Sequence, residues 1–358
     1  GWVGGRTAAF MIASALAYER VMQQTVEACR PIPQDLWGLA FFVLVTDFAR
    51  LIRGKADRAS LACLLFTVSA IMLNLWLQFT TLWYINQYVV GEQVHQTQTH
   101  YKQFHHDVFD ADGEFVQEKW DAWDGPSMEL CSMAMTKFNF SLAIVFLWSG
   151  RMLGELRNID RLHRDIYAIQ GLGEDSDISD MVKDVEGDEG EATGSRVVAL
   201  TTVARVSTYV LIIIPKVIIA MVLLALGCRW LASTESFADL ILNALALEFV
   251  IGIDELMYES FVPEAMRLRL EASTVVHKKA NRGTDDAKTE TAIEFTRSLV
   301  YMTVCGVWSY VYLEYLQQVL PDFKHDIHQH CHGSFDRNYE PICAMWQRGN
   351  CFPYGDGE

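Results

Sequence analysis

Residues 60–84 read SLACLLFTVSAIMLNLWLQFTTLWY, a run without a single charge. About 20 apolar residues in a helix cross the hydrocarbon core of a bilayer, so this stretch is long enough to span one. Its polar residues are not scattered. At 100° per residue Ser60, Cys63, Thr67, Asn74, Gln78 and Thr81 fall on one face, a polar stripe along an apolar rod. Lipid does not reward such a stripe. It implies either hydrogen bonds to neighbouring helices or a hydrated path.

Working outward, similar runs occur at 138–149 (FNFSLAIVFLWS, extended back to about Met128), at 206–228 and at 298–318, with a fifth from Phe237 to Ile253. Several runs of this length are not expected of a soluble core, although 51% hydrophobic residues and a mean hydropathy of +0.12 lean only slightly toward membrane. The fold class expected is all-α: a polytopic membrane helix bundle of about five spans, the range being four to six. Residues 1–58 read as N-terminal amphipathic or interfacial helices. The apolar stretches 7–18 and 36–46 are too short to span comfortably. For 36–46 an interfacial or re-entrant segment is expected, a sixth span being the alternative.

The basic residues give a topology. Arg50, Arg53, Lys55 and Arg58 precede the first span; segment 151–198 carries six Lys or Arg and 261–297 carries seven, while 86–127 has only Lys102 and Lys119. The positive-inside rule places residues near 50–58, 151–198 and 261–297 on the cytoplasmic side, with loop 86–127 and tail 321–358 opposite. The resulting divisions are 1–58, 59–150, 151–198, 199–320 and 321–358. Within 151–198 the stretch 174–191, EDSDISDMVKDVEGDEGE, holds nine acids and one Lys and reads as a solvated, flexible loop.

Charges inside spans are costly and face a partner or water. Lys216 follows Pro215 in the third span, and Glu248 lies in LILNALALEFVIGIDELMYE, residues 240–259. Antiparallel helices would bring the two to similar depth, so a Lys216–Glu248 pair is expected. On one continuous helix Asp239, Asn243 and Asp254 would share a face, with Glu248, Glu255 and Glu259 opposite. The candidate ion pathway is therefore Glu248, Lys216, Asn74, Gln78, Thr67, Asn243, Asp239 and Asp254.

Outside the membrane, His95, His100, His105 and His106 form one group. KHDIHQHCHG adds His325, His328, His330 and His332 around Cys331. Imidazole and thiolate suit zinc or copper, so these tail residues are a candidate metal site. The HxxHH spacing of membrane di-iron oxidases is absent. Cys331, Cys343, Cys351 and Cys131 are disulfide candidates if the compartment oxidises. FDADG at 109–113 resembles the start of a calcium loop, but Phe115 stands where that loop needs Gly, and a capped acidic turn explains it. No P-loop, GxGxxG, GxSxG or HExxH occurs.

The leading expectation is an oligomeric ion channel or transport protein with a buried acidic site, in the plasma membrane or secretory pathway. Its partners would be the lipid bilayer and further copies or other membrane subunits, with no nucleic acid. The rivals are a non-catalytic subunit of a larger membrane complex and a metal-dependent membrane enzyme.

Overall fold

The computed structural model describes residues 28–52, 54, 57–123, 125, 130, 131, 133, 135, 138–172, 178–186, 192–234, 237–277, 284–320 and 327. In chain order the main elements are β1 (Ala28–Pro31), α1 (Leu36–Val43), α2 (Arg58–Tyr84), α3 (Gly91–Val108) and α4 (Phe138–Ala168). The strands β2 (Gln170–Gly171), β3 (Val182–Glu186), β4 (Ala192–Val197) and β5 (Ala199–Leu200) follow. Then come α5 (Thr202–Thr208), α6 (Ile214–Ser233), α7 (Phe237–Ile251), α8 (Ile253–Phe261), α9 (Glu264–Glu271), β6 (Thr274–His277) and α10 (Thr284–Val311).

The structure is mostly helical, and among the described residues two helices are long and apolar enough to cross a membrane: Arg58–Val108 and Thr202–Ser233. Each is continuous through one π-helical turn, Ile85–Val90 in the first and Tyr209–Ile213 in the second. The second turn has a local cause. Pro215 lacks the amide that would bond four residues back, and the Ile214 amide just before it bonds five back to Tyr209. Segment 86–127 is thus not a plain loop, because helix continues through it to Val108.

The chain forms two units. The first comprises 1–79, 154–220 and 251–301, the second 80–153, 221–250 and 302–358. In the first unit α1 is core: Leu36, Trp37, Leu39, Phe41 and Phe42 are each at most 1% exposed. An interfacial helix would keep one face open, so that expectation for 36–46 is corrected. The helix is sheathed in protein on nearly every side, and the apolar run LWGLAFFV needs no lipid. Residues 7–18 lie outside the described ones.

The first unit also holds a four-stranded sheet in the order β1-β6-β4-β3, with β6 antiparallel to β1 and parallel to β4. β3 and β4 form an antiparallel hairpin with an irregularity at Val185/Glu186. The fold remains mostly helical, as expected, with this small sheet added, and residues 178–186 of the acidic stretch form a short 3-10 turn and a strand. VKDVE carries two valines and TVVH at 274–277 is rich in β-branched residues, both strand signals. Net charge obscured them.

On α2 the usual amphipathic order is inverted. Ser60, Thr67, Asn74 and Gln78 are buried, while Leu65, Val68, Met72, Trp76 and Phe79 are exposed on the other side. Water would drive such a helix the other way round, and an exposed apolar stripe of this kind requires a lipid or protein cover. In the second unit, α4 and α6 approach closely. A side chain at Gly227 would overlap the indole of Trp148, and Ser149 contacts Cys228 at 3.9 Å. Cys305 of α10 bonds the Phe146 carbonyl at 3.4 Å, and Thr97 of α3 donates to the Ser233 carbonyl at 3.2 Å.

Candidate functional site

The most deeply held charges sit in the first unit around Lys216. PQDLWG at 33–38 starts α1, and Asp35 is its N-cap: Oδ1 accepts the Gly38 amide at 2.6 Å, satisfying one of the orphan donors of the first turn. Oδ2 of the same carboxylate accepts Lys216 Nζ at 2.9 Å. Both side chains are largely buried, at 16% and 17% exposure. The cap geometry needs Gly38, because any Cβ there would overlap the carbonyl of Pro33.

Two further acids act on the ammonium, Asp254 and Glu155. Asp254 lies in the first turn of α8 and is 8% exposed; Glu255 acts on it in turn. Asp35 is the one carboxylate at ion-pair distance from Lys216 among the described residues, and the other acids act on it from farther away.

The expected Lys216–Glu248 pair is not formed. Glu248 instead meets Arg151, whose Nε lies 2.9 and 3.0 Å from its two oxygens, with side chains 38% and 47% exposed. The physical reason is that a nearer carboxylate, held in place as a helix cap, satisfies Lys216. The expected common faces along 237–259 are also corrected, because α7 ends at Ile251 and α8 starts at Ile253, with Gly252 between them leaving the helical conformation.

The other candidates fall in separate places. Thr67, Asn74 and Gln78 form a buried row on α2, with Asn74 Nδ2 3.4 Å from Gln78 Oε1. Thr67 Oγ1 and Asn74 Oδ1 find no hydrogen-bond partner among the described residues. Asn243 is buried in the second unit and donates to Thr234 Oγ1 at 3.0 Å, while Asp239 is exposed. Of the candidate set, Lys216 and Asp254 come together in one place and Thr67, Asn74 and Gln78 in another. Asp35 was missed; its signal was an Asp directly before an apolar helical run.

Among the described residues no three His, Cys, Asp or Glu side chains come together as a metal site. His325, His328, His330, His332 and Cys331 lie outside the described residues, as do Cys343 and Cys351. Cys131 is disulfide-bonded, whereas Cys29, Cys63, Cys228 and Cys305 are free thiols.

At FDADG the Asp110 carboxylate is turned inward on its own backbone, accepting amides of Glu114 at 2.9 Å and Asp112 at 3.0 Å, with Gly113 at φ +80° closing the turn. Those amides, Glu114's first, hold the Asp110 carboxyl below the usual carboxylate range. A lowered folded-state value stabilises the turn above the ordinary Asp range, and the effect is lost as pH falls through the depressed value. We expect the NMR amide shifts of Asp112 and Glu114 to titrate together with a midpoint below the ordinary Asp value of about 3.9. Movement centred at or above that pH would mean that the carboxylate is not so engaged.

No known protein family, curated protein or solved structure matches this chain.

Proposed function

We propose that this chain is a membrane protein of five spans that moves a cation across the bilayer, working as an oligomer, with Asp254 and Asp35 about Lys216 as the cation site. The observation that carries the reading is Lys216, held 17% exposed among carboxylates on a helix whose other flank shows Val210, Ile214, Ile218 and Met221 to the outside. A charge is kept at such a position only when something offsets its cost, and a mobile cation competing with Lys216 for Asp254 is such a use. The three further spans are 138–149, 237–253 and 298–318. Leu147 on α4, Leu242 and Phe249 on α7 and Leu299 and Val307 on α10 are all exposed, which supports a lipid-facing role.

The test is cation flux through purified chain in sealed liposomes, wild type beside Asp254→Asn and Glu248→Gln. Asp254→Asn should cut flux on the order of tenfold while Glu248→Gln, remote in role and partly exposed, leaves it near wild type. Equal flux in wild type and Asp254→Asn would sink the assignment of the site.

A second reading, a non-catalytic subunit of a larger membrane complex, is favoured by one observation. The Arg151–Glu248 pair opens among exposed Leu245 and Phe249, a place lipid serves poorly and a polar partner serves well. Silence from well-folded protein in the flux assay would select it.

A further inference from the structure

A second charged region of the first unit uses none of the residues around Lys216. It is a cleft of about 340 Å³, within the size range of small-ligand sites. Arg30, Arg157, Arg161, Arg164 and Arg297 line it together with the acids Asp160 and Glu294, and Asp165 pairs with Arg30 beside it. In a chain of net charge −16 this concentration of guanidinium groups is not a matter of composition.

The placement follows from spacing. Arg157, Arg161 and Arg164 recur at i, i+4 and i+7 and so share one face of α4, where like charges repel. Internal pairing relieves part of that repulsion. Arg164 bonds Asp160 at 3.1 Å, Arg30 bonds Asp165 at 2.9 Å, and Arg157 lies over the Tyr301 ring at 5.0 Å. Arg161 and Arg297 have no carboxylate at ion-pair distance among the described residues.

We propose that this cleft binds a phosphorylated headgroup carrying more than one phosphate. The planar guanidinium fork matches phosphate oxygens two at a time, and five forks exceed what a single phosphate can use. The apolar flank favours a lipid as the source. Phe295 in the cleft wall is 70% exposed, and Leu299 and Val300 continue along α10 at 59% and 53%. The arginines of α4 and α10 belong to segments that the positive-inside rule assigns to the cytoplasmic side, where basic pockets meet phosphorylated lipid headgroups. The inference stands independently of cation transport.

The test uses full-length chain in detergent micelles, titrated with dioctanoyl phosphatidylinositol bisphosphate, inositol trisphosphate or dioctanoyl phosphatidylcholine, read by native mass spectrometry and thermal unfolding. The bisphosphate lipid should bind and raise the midpoint, and phosphatidylcholine should not. Arg161→Gln with Arg297→Gln should weaken that binding roughly thirtyfold, while Lys102→Gln, one charge removed elsewhere, should leave it unchanged. Inositol trisphosphate binding as tightly as the lipid would uphold the site and make its natural ligand a soluble polyphosphate. If the Gln pair misfolds, Arg161→Lys with Arg297→Lys keeps the charge, loses the fork and should bind at an intermediate level. Equal binding of the bisphosphate lipid to wild type and either pair, or equal binding of phosphatidylcholine, overturns the proposal.

Discussion

Asp35→Ala should lower the unfolding free energy by about 4 kcal/mol. Removing one member of a buried ion pair leaves the other charged and unpartnered, at a cost of about 3–5 kcal/mol. The lost N-cap adds about 1 kcal/mol, though the two effects share a side chain and do not simply add. The structure assigns them to separate oxygens, Oδ1 to the Gly38 amide and Oδ2 to Lys216 Nζ. Asp35→Asn therefore separates them, keeping a cap acceptor while losing the charge. Lys216→Met combined with Asp35→Ala should recover much of the loss, since no orphaned ammonium remains. Unfolding in detergent, followed by helical circular dichroism across this set of variants, checks all three. A drop of no more than about 0.5 kcal/mol for Asp35→Ala, the size of an ordinary surface change, would mean that Lys216 does not depend on it.

Gly38→Ala should also destabilise, by about 3 kcal/mol, and here the sign is diagnostic. In an unobstructed helix Ala is better than Gly by about 1 kcal/mol, because Gly has more freedom to lose. At Gly38 the new methyl would overlap the Pro33 carbonyl, a backbone atom that cannot swing aside, so the start of α1 must shift. That shift would carry Asp35 away from both its partners. Gly38→Ala and Asp35→Ala together should therefore cost clearly less than the sum of the two. A rise in the thermal midpoint of Gly38→Ala would show that the close approach is absent.

Part of this was written in local order. The uncharged run 60–84 became helix within Arg58–Tyr84, and its polar stripe became the buried face of that helix, because 3.6-residue periodicity is a property of the segment alone. The 206–228 run likewise lies within Thr202–Ser233, and Pro215 marked the place where the helix departs from regular bonding. Other readings failed where distant segments decide. The strands at 182–186 and 192–197 were hidden because acidity argues for solvation, while pairing with Thr274–His277 is a long-range event. The apolar run 36–46 looked like an interfacial segment because nothing nearby shows that protein will enclose it.

The site divides the same way. That Lys216 needs a carboxylate followed from its place in an apolar run, since a bare charge there is costly whatever surrounds it. Which carboxylate answers it did not follow. Glu248 matched by depth on a neighbouring helix, but Asp35, 181 residues away, had already been oriented by capping α1 and so presented its second oxygen at 2.9 Å. The requirement is set by the chemistry of one residue and its neighbours in the chain. Its fulfilment depends on which distant group packing holds within reach, a quantity that periodicity and composition do not carry.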